Sequence, residues 1–369
     1  MKRVQIKRNF LILLLAAAVL AGGFGGWALG SHAVGNKYHK LEQLRSIIDS
    51  SYYEKTNDDK LVTQACKGLV KGLGDPYSEY MTKKETEAWK TSVLGEYEGV
   101  GMILAQNAKT KAIVVVSVVD ASPAEKAGIR AGDIVKKVDD KHYEDVDDVA
   151  QAIRGTAGSQ VDLGMERDGR TYTKRLTREA ITMQTVETRQ LAGKIGYIRL
   201  TSFEKSSADD FKKALTACEK KGNKGLIIDL RDNGGGLVDV CADIADELMG
   251  KGVLTYMEGQ DGKRTYYRTK AGRTKLPYVL LVNGNTASAS EILTAAVMDN
   301  TDNKVVGTRT FGKGVVQDVM SFKDGTSLKL TVKQYFSPKG KTIHKKGITP
   351  DYVVKSRKAQ LAKAEALLQ

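Results

Sequence analysis

Leu226-Ile227-Ile228-Asp229-Leu230-Arg231-Asp232-Asn233-Gly234-Gly235-Gly236 runs from an apolar segment straight into three glycines, and a helical pattern over 237–249 follows. A short apolar run closed by turn residues reads as a strand covered on both faces. Consecutive glycines allow backbone conformations that a Cβ forbids, and they bare N–H groups at a helix start. In open α/β sheets the ligand crevice lies at the carboxyl ends of the strands, which is where this run sits.

Working outward, strand and helix alternate: strands are expected at 195–200, 226–230 and 278–282, helices at 208–220, 237–249 and 291–298, and a late strand at 327–335. That alternation predicts βαβ units and a largely parallel sheet. A second strand end, Asn283-Gly284-Asn285-Thr286-Ala287-Ser288-Ala289-Ser290-Glu291, again enters a helix. A serine on such a tight turn can present its hydroxyl while the next N–H faces a reacting carbonyl. Taken alone, the glycines can be an ordinary turn and the Ser or Thr before Glu291 an ordinary helix cap. Together they suggest two halves of an oxyanion hole.

A serine nucleophile needs a base, and none of His32, His39, His142 and His344 stands in a recognisable triad context. A lysine can serve where burial disfavours its ammonium form. Lys313, in Phe311-Gly312-Lys313-Gly314-Val315-Val316-Gln317, lies between glycines and before apolar residues, an odd setting for a solvated cation. The run from Gly307 to Lys313 also fits Gly-x-x-x-x-Gly-Lys, but Gly314 stands where a phosphate loop needs Ser or Thr. Ser202-Phe203-Glu204-Lys205 matches Ser-x-x-Lys without the partner motifs of penicillin-recognising enzymes, and is read as coincidence.

Upstream, β-branched runs at 113–119 and 134–138, a hairpin of 161–167 and 171–177 across Asp168-Gly169, and one helix at 146–153 describe a compact β-rich module. Before it, apolar spacing at 38–48 and 61–73 predicts a small helical segment that Gly74-Asp75-Pro76 stops. At the start of the chain Lys2, Arg3, Lys7 and Arg8 precede an uncharged stretch, 10–30, whose 21 residues would reach about 31 Å as a helix, against a hydrocarbon core of about 30 Å. The expectation is a membrane anchor with the short N-terminus cytoplasmic and the rest extracytoplasmic. A cleaved secretory signal is the alternative, and either exports the remainder.

Lys plus Arg total 58 against 44 Asp plus Glu, a formal charge of +14, but the charges are scattered rather than striped with aromatics, which argues against nucleic acid. Cys66, Cys218 and Cys241 form no disulfide framework, and the histidines form no ligand spacing, so neither metal nor cofactor is expected.

These residues resemble the C-terminal processing peptidases, S41 serine proteases that join a PDZ domain to a Ser-Lys core. The resemblance covers roughly 73–354 and rests on Leu73-Gly74-Asp75-Pro76-Tyr77-Ser78, Glu98-Gly99-Val100-Gly101, Ser122-Pro123-Ala124, Ala127-Gly128-Ile129, Gly132-Asp133, Gly196-Tyr197-Ile198, the 229–236 and 286–291 segments and Phe311 to Gln317. It implies an α/β protease core of crotonase- or ClpP-like ββα units with an inserted-type PDZ domain. The expected organisation is a cytoplasmic N-terminus (1–9), a transmembrane anchor (10–30), a helical segment (31–95), the PDZ domain (96–178), the protease core (179–355) and a helical tail (356–369).

By the same resemblance Ser288 is the nucleophile, Lys313 the general base and Gln317 the residue that orients the lysine. The N–H groups of Ala289 and Gly235 would hold the oxyanion. Gly99, Val100, Gly101 and Met102 would capture a chain-end carboxylate, and Arg154 would couple PDZ position to assembly of the catalytic site; from its sequence position alone, Arg154 is a plain helix-end cation. The implied activity is a membrane-anchored extracytoplasmic endopeptidase acting on proteins whose C-termini the PDZ domain recognises, working as a dimer. The rival is a catalytically silent PDZ scaffold.

Overall fold

The computed structural model describes residues 38–369, apart from 95, 183, 271 and 273. Two units are distinct, one ending at Gly72 and one running from Leu73 to Gln369. In the first, helix α1 (38–51) is followed by α2 (Asp58–Lys71). Asn57 starts α2 by accepting the Lys60 N–H at 2.9 Å, which satisfies one of the orphan donors of the first turn. Tyr38, Leu41, Leu44 and Ile47, at helical spacing on α1, are exposed. Among the described residues no helix is long and apolar enough to cross a membrane, and the expected span at 10–30 lies outside them.

The expected helical segment 31–95 is divided: from Leu73 the chain belongs to the larger unit. There β1 (Glu79–Met81) joins a sheet and α3 (Lys83–Leu94) follows. Next, β2 (Glu96–Gly99) opens a lobe containing β3 (Met102–Gln106), β4 (Ile113–Val118), α4 (Pro123–Lys126), β5 (Ile134–Val138), α5 (Val146–Ile153), β6 (Gln160–Arg167) and β7 (Arg170–Thr177). β8 (Glu179–Thr182) then pairs antiparallel with β2, so entry and exit lie side by side, the arrangement of an inserted domain. The lobe's sheet runs β3-β4-β5-β6-β7 and surrounds its own core of Val115, Val138, Leu163 and Met165. β3 is an edge strand and packs beside α5. Asp133, buried under the lobe, accepts Arg167 Nε at 2.5 Å, and this contact above all holds its carboxyl down at about 2.

The rest of the larger unit is built on a six-stranded sheet, ordered β18 (Tyr352–Val353), β15 (Lys304–Gly307), β14 (Tyr278–Val282), β11 (Gly225–Asp229), β10 (Ile195–Leu200), β9 (Val186–Leu191). All pairings are parallel except β9 with β10. Alternation along β11 explains the two-sided burial: Leu226 and Ile228 face one core, Ile227 the other. The first core lies under α6 (Ser207–Lys220), α7 (Val238–Met249) and α8 (Ala289–Asn300). The second is covered by α9 (Arg357–Ala366), the expected tail, which packs on β14 and β15 and adds Leu361 and Ala364 to this core, with Leu368 beyond it against Gly225. The apolar face of the tail is therefore taken up within the chain.

A second, antiparallel sheet has the order β1-β17-β12-β13, with β16 (Val315–Ser321) also paired to β17 (Ser327–Phe336). The hairpin of β12 (Gly252–Gly259) and β13 (Arg264–Thr269) gives little sequence signal, because Arg264-Thr-Tyr-Tyr-Arg-Thr269 is a mostly exposed edge without an apolar alternation.

Candidate active site

The two marked strand ends meet. Asn233, fully buried after β11, binds them together: its Nδ2 donates to Leu200 O at the end of β10 (2.9 Å), its Oδ1 accepts the Gly235 N–H (2.9 Å), and its own carbonyl accepts the Ala287 N–H (3.0 Å) and Ser290 Oγ (3.0 Å). Glycine is required at 235, where φ is 103° and a Cβ would lie 2.8 Å from both Ala287 O and Ser288 Cβ. The glycine run thus lies directly against the serine turn.

The hydroxyls of Thr286, Ser288 and Ser290 have different occupations. Thr286 Oγ1, buried, donates to Leu230 O at 2.8 Å and accepts the Asn283 N–H at 2.9 Å. Ser290 Oγ, also buried, is held by Asn233 O. Ser288 is half-buried, its hydroxyl faces the Glu291 N–H in a capping-box arrangement without closing a full cap hydrogen bond, and its backbone is strained at φ 56°, ψ −120°. Such a conformation costs a non-glycine residue about 1–3 kcal/mol and is retained where the surroundings enforce it. The Ala289 N–H is the first donor of α8, and the site has its positive helix end there.

Two buried groups enforce the turn, and sequence reading assigned neither. Glu291 accepts the Ser288 N–H (3.0 Å) and Lys313 N–H (2.9 Å) on one oxygen. Its other oxygen accepts the Gly312 N–H (2.7 Å) and Thr310 Oγ1 (2.6 Å). Burial pushes this carboxyl up, and the four donors oppose that shift. The Tyr335 hydroxyl reaches the carbonyl oxygens of both Ser288 (3.1 Å) and Lys313. The backbones of 288 and 313 are thereby held in one register, and the signal for this was the spacing of Glu291 three residues after Ser288.

Ser288, Lys313 and Gln317 line one cleft of about 590 Å³, together with Trp89, Val315 and Tyr335. Burial, with a smaller effect from the neighbouring Lys329, lowers the Lys313 amine below its ordinary 10.5, against an upward pull from Asp75. The Lys313 Nζ lies 5.1 Å from the ring centroid of Tyr77, and among the described residues no hydrogen bond joins it to Ser288 Oγ. Gln317 likewise donates to Thr331 Oγ1 at 3.1 Å rather than to the lysine. The Gly235 N–H, expected to hold the oxyanion, donates here to Asn233 Oδ1 at 2.9 Å. Ser202 Oγ donates to Gly235 O at 3.3 Å, which commits that hydroxyl to the loop.

In the inserted lobe, Gly99 ends β2 and Val100, Gly101 and Met102 lead into edge strand β3. Gly101 takes φ 79°, and a Cβ there would fall 2.3 Å from Ser122 Cβ. Arg154 follows α5, with its Cα against Gly99. The cation on the last carbonyls of that helix is Arg178, whose Nε donates to Ile153 O (2.8 Å) and whose Nη2 donates to Ala152 O (3.1 Å).

A parallel sheet with a strained serine at a helix start, glycines against it and a half-buried lysine across the cleft defines a serine hydrolase. The comparisons with known proteins narrow this. Peptidase family S41 matches residues 194–354, a PDZ domain matches 114–167, and the activating protease CtpB N-terminal domain matches 28–86. The carboxy-terminal processing protease CtpA of Bacillus subtilis is 35% identical over 364 residues, covering 95% of this chain and 77% of that protein. A probable CtpA-like serine protease of Staphylococcus aureus is 37% identical over 328 residues, 87% of this chain, which spans 66% of that relative's length. Among solved structures, a photosystem II D1 C-terminal processing protease shares 31% identity, with a TM-score of 0.53 over 85% of this chain and 86% of that one. This chain belongs to peptidase family S41, the serine-type C-terminal processing proteases with a PDZ domain.

Proposed function

We propose that the chain is a membrane-anchored, extracytoplasmic endopeptidase that cleaves proteins whose C-termini its PDZ lobe recognises, with Ser288 as nucleophile and Lys313 as general base. The observation that carries the reading is the division of labour among three hydroxyls: Thr286 and Ser290 donate to backbone carbonyls, whereas Ser288 donates to none, has a strained backbone and lines the cleft. The amine of Lys313, swung from Tyr77 toward Ser288, takes the hydroxyl proton as the oxygen attacks the scissile carbonyl. The Ala289 N–H and a donor of the glycine run stabilise the oxyanion, with Gly235 holding the run against the turn. The protonated amine then gives its proton to the leaving nitrogen, and water clears the acyl-enzyme. Gln317, released from Thr331, orients the lysine.

In the PDZ lobe a bound chain end adds a strand beside β3, and its carboxylate is received by the loop of Gly99, Val100, Gly101 and Met102. Arg154, beside that loop, conveys occupancy to the cleft. Residues 10–30 anchor the enzyme, with Lys2, Arg3, Lys7 and Arg8 on the cytoplasmic side. The exposed apolar face of α1 meets a second copy to form a dimer.

The reading is tested with a folded reporter carrying an unstructured C-terminal tail, made with a free terminal carboxylate and as the amide. Cleavage within the chain is expected for both, with KM about tenfold higher for the amide, since losing one charge-assisted anchor costs on the order of 1.4 kcal/mol. Equal kinetics for the two tails would remove the terminal carboxylate from recognition.

A further inference from the structure

The lysine's position over Tyr77 is built into the fold. Tyr77 belongs to the turn Gly74-Asp75-Pro76-Tyr77-Ser78, and that turn is fastened at several points. Asp75 accepts the Tyr77 N–H at 3.1 Å and Ser78 Oγ at 2.5 Å. Ser78 Oγ in turn accepts the Thr331 N–H of β17 at 2.9 Å, and the next three residues, β1, pair in register with Lys329, Leu328 and Ser327. Thr331 is also the residue that receives the Gln317 side chain. One strand position therefore anchors both the tyrosine turn and the glutamine, while the lysine between them rests on the aromatic face 5.1 Å away.

An ammonium over a tyrosine ring is stabilised relative to the free amine, because the ring's negative face attracts the cation and gives nothing comparable to the neutral form. A base must be neutral to take a proton. The contact therefore opposes the work assigned to Lys313, because it favours the charged form. The other charged groups around this amine are Lys329 of β17, which disfavours its charge, and Asp75, which favours it. Glu291 bonds the backbone of Lys313, not its amine, and His344 backs onto Gly314 through its main chain.

We propose that Tyr77 is a positioning residue of this enzyme: its ring face holds the Lys313 ammonium in a resting place and competes with Ser288 for the lysine. Substrate-side events that draw the amine to Ser288 must first break this contact, so Tyr77 sets how readily the dyad forms. The inference rests on the Ser288–Lys313 reading and adds to it a group that acts through the base without touching substrate.

The test is the pH dependence of Ser288 modification by a diphenyl peptidyl phosphonate in the full chain and in Tyr77→Leu, Tyr77→Phe and Tyr77→Trp. Cation–π strength falls from Trp through Tyr to Phe and vanishes with Leu. The midpoint of the rising limb is expected to drop by about 0.5 to 1 pH unit in Tyr77→Leu, with labelling near neutrality faster by about threefold to tenfold. It should stay near wild type in Tyr77→Phe and rise in Tyr77→Trp. The two ring-bearing variants preserve the ordering should the leucine variant fold poorly. Superimposed limbs for Phe, Tyr and Trp, in an enzyme whose labelling still requires Lys313, would overturn the role of Tyr77 while leaving the dyad intact. Labelling that persists unchanged in Lys313→Met would instead overturn the dyad itself.

Discussion

Ser288→Ala is expected to lower kcat/KM on a tailed protein substrate by at least about 10³–10⁴-fold, while Thr286→Ala and Ser290→Ala keep measurable turnover. All three residues sit within five positions and carry a hydroxyl, so chemistry alone does not separate them. Their surroundings do. Removing Ser290 Oγ takes one donor from Asn233 O, which still accepts the Ala287 N–H. Removing Thr286 Oγ1 leaves Leu230 O without that donor and the Asn283 N–H without its acceptor. Such losses cost about 1–3 kcal/mol of stability per buried group, and should lower the unfolding temperature with kcat reduced about tenfold or less. The Ser288 variant should unfold close to the wild-type temperature, because alanine at 288 removes only a weak capping-box contact at the start of α8 and keeps the Glu291 bond to the 288 N–H. Comparable catalytic losses at 288 and 290, with folding intact in both, would contradict the assignment.

Glu291→Gln is expected to be nearly as damaging as Glu291→Ala, against the usual tolerance of an isosteric change. Each carboxylate oxygen faces at least one backbone N–H: Ser288 and Lys313 on one side, Gly312 on the other. Whichever way the glutamine amide turns, its NH₂ meets an N–H donor in a buried space. With about 1–3 kcal/mol for each buried group left unsatisfied, a loss on the order of 3 kcal/mol is expected. For a unit running from Leu73 to Gln369 that corresponds to roughly 5 °C in unfolding temperature. Because the same oxygen spans Ser288 and Lys313, kcat should fall by about 10²-fold or more even at temperatures where the variant is folded. Calorimetry and kinetics on both variants check this; a glutamine variant with wild-type unfolding temperature and kcat would show that the four donors do not depend on the charge.

Much of this was legible in the sequence, for physical reasons that differ by element. The strands over 195–200 and 278–282 were legible because burial on both faces makes a short continuous apolar run bounded by turn residues, and the helix at 146–153 because burial of one face imposes a period. The meeting of the glycine run and the serine turn was also readable, since consecutive parallel strands bring their carboxyl ends together. Asn233 and Glu291 were not assigned their roles. Each acts through hydrogen bonds to backbone atoms distant in sequence, and such contacts leave no periodic trace. The same holds for Arg178, which caps α5 from the end of β7 while Arg154, the nearer cation, lies beside Gly99. The tail at 356–369 showed its helical spacing but not its partner, because an amphipathic helix reads the same whether it covers its own sheet or a neighbour's. The placement of Lys313 on Tyr77 was invisible for a further reason: a flexible lysine can reach more than one partner, and the sequence fixes its backbone, not its rotamer.

The claim on which the account depends is that the Lys313 amine activates Ser288. It is tested most directly by the rate of Ser288 phosphonylation from pH 6 to 10 in the wild-type chain and in Lys313→Met. Burial lowers this amine below 10.5, so its neutral, base-competent fraction grows as pH rises through a midpoint below that value. The wild-type rate should therefore climb along such a limb, and Lys313→Met should lose the limb and at least about 10³-fold of the rate near its plateau. Equal rates with the same pH dependence in the two proteins would contradict the account.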